Sequence, residues 1–340
     1  MQPQQAGVSP AKIFSTLAAH QQSDALKAAI ELDLFTAVGE GHAATADLAR
    51  RCGASPRGVR ILADYLTILG FLTKQDNRYG LSEDSALFLD RRSPAYMGSI
   101  HEFIASDYML RGGRHLAEAV RKGGSAVPDN GAVTPEHPMW VTFARAMMPM
   151  MMPVAQQIAA RAGQGPLKVL DIAAGHGIYG ILVAKTNLEA HIVQLDWPNV
   201  LEVARENAAK FGVADRIAYI EGSAFKEDYG SGYDLVLLTN FLHHFDAPTI
   251  ETLLRKVHAA LKPGGRAMTV EFVPNDDRIT PPQAAGFALI MLQSTDAGDA
   301  YTFAELDQML RNAGFERSER FDLPPTPQTL IVSNRMLQKG

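Results

Sequence analysis

Short apolar runs that alternate with helical patterns fill the chain after position 166, and they constrain its fold most. The runs cover residues 168–172, 192–196, 217–220, 235–239 and 267–272. Such alternation is typical of βαβ units, in which helices cover both faces of a parallel sheet. Two later runs, at 316–323 and 329–333, predict an antiparallel pair. We therefore expect an α/β fold with a Rossmann-like, doubly wound, mostly parallel sheet of seven strands.

The N-terminal part shows helical periodicity instead. Apolar residues recur every three to four positions over 23–38, which predicts one amphipathic helix. Thr45 is a candidate cap for a short helix, and Ser55 precedes a proline that opens another. Residues 71–74 and 78–81 flank an Asp-Asn turn and predict a two-stranded ribbon. Helices followed by a small ribbon form a winged-helix pattern.

These patterns divide the chain into three expected parts. Residues 101–122 and 138–162 predict further helices, and the segment 123–138 is rich in Gly, Pro, Ser and Asp, as linkers are. The expected parts are a mostly α-helical winged-helix domain (1–100), a helical linker and substrate-pocket region (101–165) and the α/β domain (166–340).

Composition excludes several classes of protein. The 340 residues carry a net charge of −5, without the basic excess that nucleic-acid binding requires. The single cysteine, Cys52, excludes an intramolecular disulfide and a cysteine-rich zinc site. No stretch approaches the ~18 apolar residues of a membrane span, and the N-terminus lacks an apolar targeting segment. We expect a cytoplasmic protein with neither a membrane nor a nucleic acid as partner.

The segment VLDIAAGHG places small residues where the first strand of the α/β domain turns into a helix. Ala173, Gly175 and Gly177 would let a ligand approach the backbone, but the acid Asp171 would repel a pyrophosphate. A second acid, Asp196, ends the next strand, where a carboxylate can accept both ribose hydroxyls. Two acids with a glycine loop point to a cationic nucleoside, of which S-adenosylmethionine is the common one. The alternative is a tight turn without a ligand.

Trp197 follows the second acid directly and allows two interpretations. Its ring could stack on adenine, or it could be an aromatic residue of the core or of a helix cap. Both interpretations remain open from sequence.

Six motifs together carry a family resemblance. They are the loop 171–177, LDWPNV at 195–200, GSAF at 222–225, LHHF at 242–245, LKPGG at 261–265 and NAGF at 312–315. With them the chain resembles class I S-adenosylmethionine-dependent methyltransferases. More narrowly, it resembles the small-molecule O-methyltransferases of plant phenolic and bacterial antibiotic or phenazine type, which carry an N-terminal winged-helix dimerisation domain. The resemblance covers nearly the whole chain.

The resemblance implies methyl transfer from S-adenosylmethionine to a hydroxyl of an aromatic small molecule, and a homodimer formed through the N-terminal domain. His243 is the expected general base, because it follows the fourth strand at the ligand-binding edge, and Glu271 is its expected partner. The expected cofactor residues are Asp171, Ala173, Gly175, Gly177, Asp196, Trp197, Gly222, Ser223, Ala224, Phe225, Thr239 and Asn240. The expected acceptor residues are Phe143, Met147, Phe241, Phe287 and Met291.

Four departures from the family pattern affect the expected chemistry. Ser223 stands where plant relatives place an adenine-contacting aspartate, and Thr239 where they place a lysine. Their His-Asp-Trp becomes His243-His244-Phe245. The second acid beside the catalytic histidine is replaced by Ala300. We interpret His244 as a structural residue, and Met148, Met150 and Met152 as packing residues.

Other functions stay open at this stage. A relative could bind S-adenosylmethionine and perform C- or N-methylation, or decarboxylation and hydroxylation. A winged helix carrying Arg57 and Arg60 could belong to a ligand-binding regulator that contacts DNA, although the acidic chain disfavours it. A metal site from His243, His244, Asp246 and Glu271 lacks a histidine pair at i, i+4 spacing, so we expect no metal.

Overall fold

The computed structural model describes residues 8–127 and 134–337. They divide into two compact units, of which the first ends at Ala105 and the second begins at Ser106. The expected linker 123–138 lies within the second unit, and its residues 128–133 fall outside the described part. The finer division into three parts stays a prediction. Among the described residues no helix has both the length and the apolar character that a membrane span requires.

The first unit combines short helices with one ribbon. Its elements are α1 (Ala11–Leu17), α2 (His20–Glu31), α3 (Leu34–Gly39), α4 (Thr45–Arg51), α5 (Pro56–Ile68), β1 (Leu72–Gln75), β2 (Arg78–Leu81), α6 (Glu83–Phe88) and α7 (His101–Ile104). Leu34, Phe35 and Leu66 lie in its buried core, against which the inner faces of the helices pack. The ribbon is antiparallel, with Leu72 opposite Leu81, as predicted.

Two local predictions in this unit are wrong. Residues 23–38 do not form one helix, because the chain breaks at Asp33, whose φ is 56°. The Asp33 carboxylate accepts hydrogen bonds from Arg51 and Arg91, and these distant arginines support the break. Thr45 does not cap α4; it is the first helical residue, after an extended Ala44. Ser55 does cap α5, by accepting from the backbone N of Gly58 at 3.1 Å.

The strands of the second unit confirm the predicted sheet. They are β3 (Leu167–Ile172), β4 (Ala190–Asp196), β5 (Ile217–Glu221), β6 (Tyr233–Thr239), β7 (Leu261–Glu271), β8 (Glu319–Asp322) and β9 (Thr329–Asn334). Within the described residues these seven strands form one sheet in the order β5-β4-β3-β6-β7-β9-β8. Strands β3 to β7 are parallel, and β9 is antiparallel to both β7 and β8.

Helices surround this sheet. They are α8 (Asp107–Arg114), α9 (Leu116–Lys122), α10 (Pro138–Ala146), α11 (Met148–Arg161), α12 (Ile178–Thr186), α13 (Pro198–Phe211), α14 (Ala247–Ala260), α15 (Pro282–Ser294) and α16 (Phe303–Asn312). The two helical stretches predicted at 101–122 and 138–162 are each divided, the second at Met147.

The strand order indicates where a ligand would bind. From β3 the chain adds strands first toward β5 and then, on the other side, from β6 onward, so the sheet has a switch point between β3 and β6. Open α/β sheets bind ligands outside the carboxyl ends of their strands at such a point. Residues 235–238 in β6 are fully buried, as in a central strand covered on both faces.

Candidate active site

The glycine loop after β3 has a backbone that few residue types can adopt. Ala173, Gly175 and Gly177 all have positive φ, of 55°, 57° and 74°. A Cβ at Gly177 would lie 2.9 Å from Nε2 of Gln194, so a side chain there would crowd Gln194 in addition to straining the backbone. At Gly175 the nearest atom to such a Cβ is 3.9 Å away, on Phe143. The loop is therefore tight on its inner side and more open at Gly175.

Asp171 lies beneath this loop and is fully buried. Its Oδ2 accepts from the backbone N of Gly180 at 3.1 Å and from Nε2 of Gln194 at 3.3 Å. Its Oδ1 has no hydrogen-bond partner among the described residues. Burial raises the pKa of Asp171 to about 7, and the two hydrogen bonds offset only part of that effect. A buried carboxylate oxygen without a partner is costly, unless a ligand supplies a donor or a positive charge.

Asp196 connects the end of β4 to the loop. Its Oδ2 accepts from the backbone N of Gly175 at 2.8 Å, and its Oδ1 from that of Trp197 at 2.7 Å. Each carboxylate oxygen can accept a second hydrogen bond, so both remain available to a diol. Burial raises the pKa of Asp196 to about 6. Trp197 is the N-cap residue of α13, makes no side-chain capping hydrogen bond and packs against the cluster of Ala144, Val200 and Val203.

The loop 222–225 is joined to Asp196, because the backbone N of Gly222 donates to the Asp196 carbonyl at 3.0 Å. The Ser223 hydroxyl accepts from the backbone N of Phe225 at 3.3 Å, which leaves its own proton to donate. The carbonyl of Ala224 accepts from Nζ of Lys256 at 3.2 Å, so α14 holds the loop from behind.

His243 and Glu271 form a buried pair at the ends of β6 and β7. Nδ1 of His243 lies 2.5 Å from Oε2 of Glu271, and the two side chains are 7% and 3% exposed. Oε1 of Glu271 accepts from the backbone N of Phe241 at 3.1 Å and of Leu242 at 2.8 Å. The carboxylate therefore holds both the imidazole and the 3₁₀ turn, Leu242–His244, that carries it. Nε2 is the ring nitrogen that remains for a ligand.

Asn240 and Thr239 end β6 beside this pair. Thr239 is buried and lies opposite Val270 of β7. Asn240 has a φ of 55°, and its side chain donates to the Tyr179 hydroxyl at 3.2 Å and accepts from Gln328. The side-chain amide of Asn240 is therefore already paired within the protein, and its backbone N donates to the Val270 carbonyl at 2.8 Å.

A series of aromatic rings in contact with one another connects the glycine loop to the His243–Glu271 pair, which we call the dyad. Phe143 of α10 stacks on His176 at 6.3 Å between centroids and meets Trp140 edge-on at 5.9 Å. Trp140 contacts the ring of His244 at 5.3 Å, and His244 that of His243 at 4.3 Å. On its other side His243 meets Phe287 of α15 at 4.8 Å. The candidate base is thus flanked by rings.

Comparison with known proteins assigns the family. A family model described as an O-methyltransferase domain matches residues 131–316, and one described as an O-methyltransferase dimerisation domain matches residues 14–91. The chain belongs to the O-methyltransferase family. This result confirms the resemblance, the methyltransferase class and the fold expected from the sequence.

Individual relatives agree with this family. The O-methyltransferase is 30% identical to 3-hydroxy-5-methyl-1-naphthoate 3-O-methyltransferase of Streptomyces sahachiroi, over 89% of each chain. A crystal structure described as that of a putative O-methyltransferase from Nostoc punctiforme PCC 73102 is 52% identical, with a TM-score of 0.94 over 97% of this chain and all of that one. Human N-acetylserotonin methyltransferase in complex with SAM shares the fold, at 22% identity and a TM-score of 0.83 over 98% and 100% of the chains.

The remaining acceptor candidates lie at different distances from the dyad of this O-methyltransferase. Phe241 packs in a cluster with Phe225 and Phe245, with centroids 6.4 and 5.1 Å away. Met147 and Met291 are buried, and their backbones bond within their own helical segments. The structure thus places Phe143 at the glycine loop and Phe287 at the dyad, whereas it ties neither methionine to His243.

Sequence reasoning missed several residues of the site. Gln194 bridges Asp171 and the Gly177 carbonyl, and its only signal was a polar residue inside an apolar strand. The sulfur of Met151 accepts from the Tyr179 hydroxyl at 3.6 Å, a contact that no local pattern shows. Ala300 is buried, and the neighbouring Asp299 directs its carboxylate to its own loop and to Arg278.

Proposed function

We propose that this protein transfers the methyl group of S-adenosylmethionine to a phenolic hydroxyl of an aromatic small molecule, with His243 as general base. The observation that carries the proposal is the His243–Glu271 pair at 2.5 Å, at the same edge of the sheet as the glycine loop. A buried base held by a carboxylate suits an acceptor that must lose a proton, as a hydroxyl does.

The residues around the glycine loop fit S-adenosylmethionine. The Oδ1 of Asp171, which has no partner in the part of the chain that the structure describes, suits a cationic ligand without a phosphate, and the Asp196 oxygens suit a ribose diol. Gly175 leaves room for the ligand to approach, and Ser223 keeps a hydroxyl proton to donate to a base. The full proposed set is Asp171, Ala173, Gly175, Gly177, Asp196, Trp197, Gly222, Ser223, Ala224, Phe225, Thr239 and Asn240, with no metal.

S-adenosylmethionine held by these residues would supply an electrophilic methyl group carried on a sulfonium sulfur. His243 would take the proton of the acceptor hydroxyl on Nε2 as that oxygen is methylated. Glu271 stabilises the resulting imidazolium through Nδ1–H and keeps the ring oriented. Proton removal during the transfer avoids the cost of forming a free phenolate first.

Aromatic and methionine side chains support an aromatic acceptor. Phe287 lies against His243, and Phe143 lies against the glycine loop. We assign acceptor contacts to these two rings and to Phe241, Met147 and Met291, because flat apolar ligands bind among rings and thioethers. The naphthoate relative acts on an aromatic compound of this kind.

We also propose a homodimer formed through the N-terminal unit, in which a dimerisation domain matches residues 14–91. Ile13, Phe14, Leu17 and Ile68 are each more than 60% exposed, and a partner chain would cover such apolar surface. Light scattering at micromolar concentration tests this proposal, and a monomeric mass would contradict it.

The first test of the activity is calorimetric titration with S-adenosylmethionine and S-adenosylhomocysteine, followed by product analysis with hydroxylated aromatics. His243→Ala should keep cofactor affinity and lose about 100-fold or more in turnover. His191→Ala, an exposed histidine at the other end of β4, is the matched control. Failure to bind either nucleoside, or unchanged turnover in His243→Ala, would contradict the proposal. Products methylated on carbon or nitrogen, or decarboxylated or hydroxylated products, would favour the alternative chemistries.

A further inference from the structure

His244 carries a buried nitrogen that the proposed reaction does not use. Its Nδ1 is inaccessible to solvent and has no hydrogen-bond partner among the described residues. Its ring neighbours are Trp140 at 5.3 Å, His243 at 4.3 Å and Phe245 at 6.2 Å. Burial, and secondarily the adjacent His243, lower the pKa of His244 well below the ordinary value, so the ring is neutral at pH 7. A neutral imidazole offers one N–H donor and one acceptor nitrogen.

His244 lies beside the proposed base and near an aromatic ring to which an acceptor contact is assigned above. Its ring lies between the proposed base and Trp140, which contacts Phe143 at the glycine loop. Consecutive side chains in the turn 242–244 project in different directions, so His243 and His244 address different atoms. Because the two ring centroids are 4.3 Å apart, a ligand that hydrogen-bonds to both imidazoles must carry two polar atoms close together.

We propose that His244 hydrogen-bonds to a second oxygen of the acceptor, next to the hydroxyl that is methylated. The acceptor class is therefore an aromatic compound with oxygens at neighbouring or peri positions, as a pair of hydroxyls or as a hydroxyl beside a carbonyl. This inference rests on the proposed function and narrows its substrate. A neutral partner matches an uncharged oxygen, and pairing with it satisfies the buried nitrogen.

The experiment compares 2,3-dihydroxynaphthalene with 2-naphthol, which has the same ring system and one hydroxyl. The wild type, His244→Phe and His244→Asn are assayed for kcat/KM with both compounds, and for S-adenosylmethionine affinity by calorimetry. Phenylalanine keeps a ring between Trp140 and His243 but removes the nitrogen, whereas asparagine restores a polar group near the position of Nδ1. His191→Phe, in the exposed part of β4, is the matched control.

The wild type should prefer the diol, and His244→Phe should reduce that preference about tenfold while binding S-adenosylmethionine normally. His244→Asn should recover part of the preference, and His191→Phe should keep all of it. Equal losses for both compounds in His244→Phe would show a structural role and overturn the inference. A wild type without preference would also overturn it, while leaving the proposed function intact. If the wild type binds no S-adenosylmethionine, both proposals fail.

Discussion

Replacing Glu271 by glutamine tests the proposed chemistry most directly, because it changes a hydrogen-bond pattern and little else. In the structure Oε1 accepts from two backbone N–H groups, at 3.1 and 2.8 Å, and Oε2 faces Nδ1 of His243 at 2.5 Å. A glutamine at this position must keep its carbonyl oxygen on the two backbone donors. Its NH₂ group then faces Nδ1, which has to become an acceptor. The ring proton consequently moves to Nε2, and this nitrogen can no longer take a proton from the acceptor hydroxyl.

The size of the expected loss in rate follows from the changed tautomer of His243. In a serine protease the equivalent change from aspartate to asparagine lowers turnover about 10⁴-fold. Here the methyl donor and the methyl acceptor still bind close together, so we expect the rate of methyl transfer to fall about 10³-fold, which is about 4 kcal/mol at 1.36 kcal/mol per factor of ten. Cofactor affinity should be unchanged, because the described side-chain hydrogen bonds of Glu271 go to residues 241–243, the segment that carries the proposed base.

The assay is single-turnover methyl transfer with labelled S-adenosylmethionine, with calorimetry to confirm binding and circular dichroism to confirm folding. Glu319→Gln, an exposed position on the strand β8, is the matched control. A Glu271→Gln enzyme with a transfer rate within threefold of the wild type would refute the assignment of His243 as a base oriented by Glu271.

Three further predictions concern cofactor binding and the loop. Asp196→Ala should weaken S-adenosylmethionine binding by a few kcal/mol, measured calorimetrically, because a diol loses its charged acceptor. Affinity should rise from pH 5.5 to 7.5 and then level off, since ionised Asp171 attracts the positive charge of the ligand and ionised Asp196 accepts from both ribose hydroxyls, and the pKa values of the two acids are raised to about 7 and about 6. Gly177→Ala should lower the melting temperature by several degrees, because its Cβ would meet Gln194 at 2.9 Å in a backbone with positive φ.

Each of these predictions has a control and a contradicting result. Retained affinity in Asp196→Ala would place the ribose elsewhere. The stability of the ligand-free protein should have the opposite pH dependence to ligand affinity. Because burial raises the pKa of Asp171 to about 7, the folded state binds this proton more tightly than the unfolded state, so the free energy of unfolding should fall as pH rises from about 4 to about 7. Affinity that does not change with pH in the wild type would contradict the role of these acids. Gly230→Ala has positive φ but an open Cβ position, so an equal melting shift there would rule out the contact with Gln194.

Much of the candidate site was readable from the chain because its residues follow consecutive strands. Asp171, Asp196, Thr239 and Glu271 each end or nearly end a parallel strand, and the carboxyl ends of such strands meet at one edge. Residues on helices were harder to assign. Phe143 and Phe287 are brought to the loop and the dyad by packing, and no spacing in the sequence shows whether Met147 or Met291 reaches the same place.

The sequence alone determined the sheet, its glycine loop and the pairing of a histidine with a later acid, because alternation, small residues and strand ends are local signals. Only the tertiary structure decided the break at Asp33, the tautomer-setting geometry at Glu271 and the unpartnered nitrogen of His244. Each of these depends on groups distant in the chain: two arginines, a pair of backbone amides, and a tryptophan on another helix. Hydrogen bonding and burial are properties of neighbours in space, and local periodicity carries no information about which distant residue becomes one.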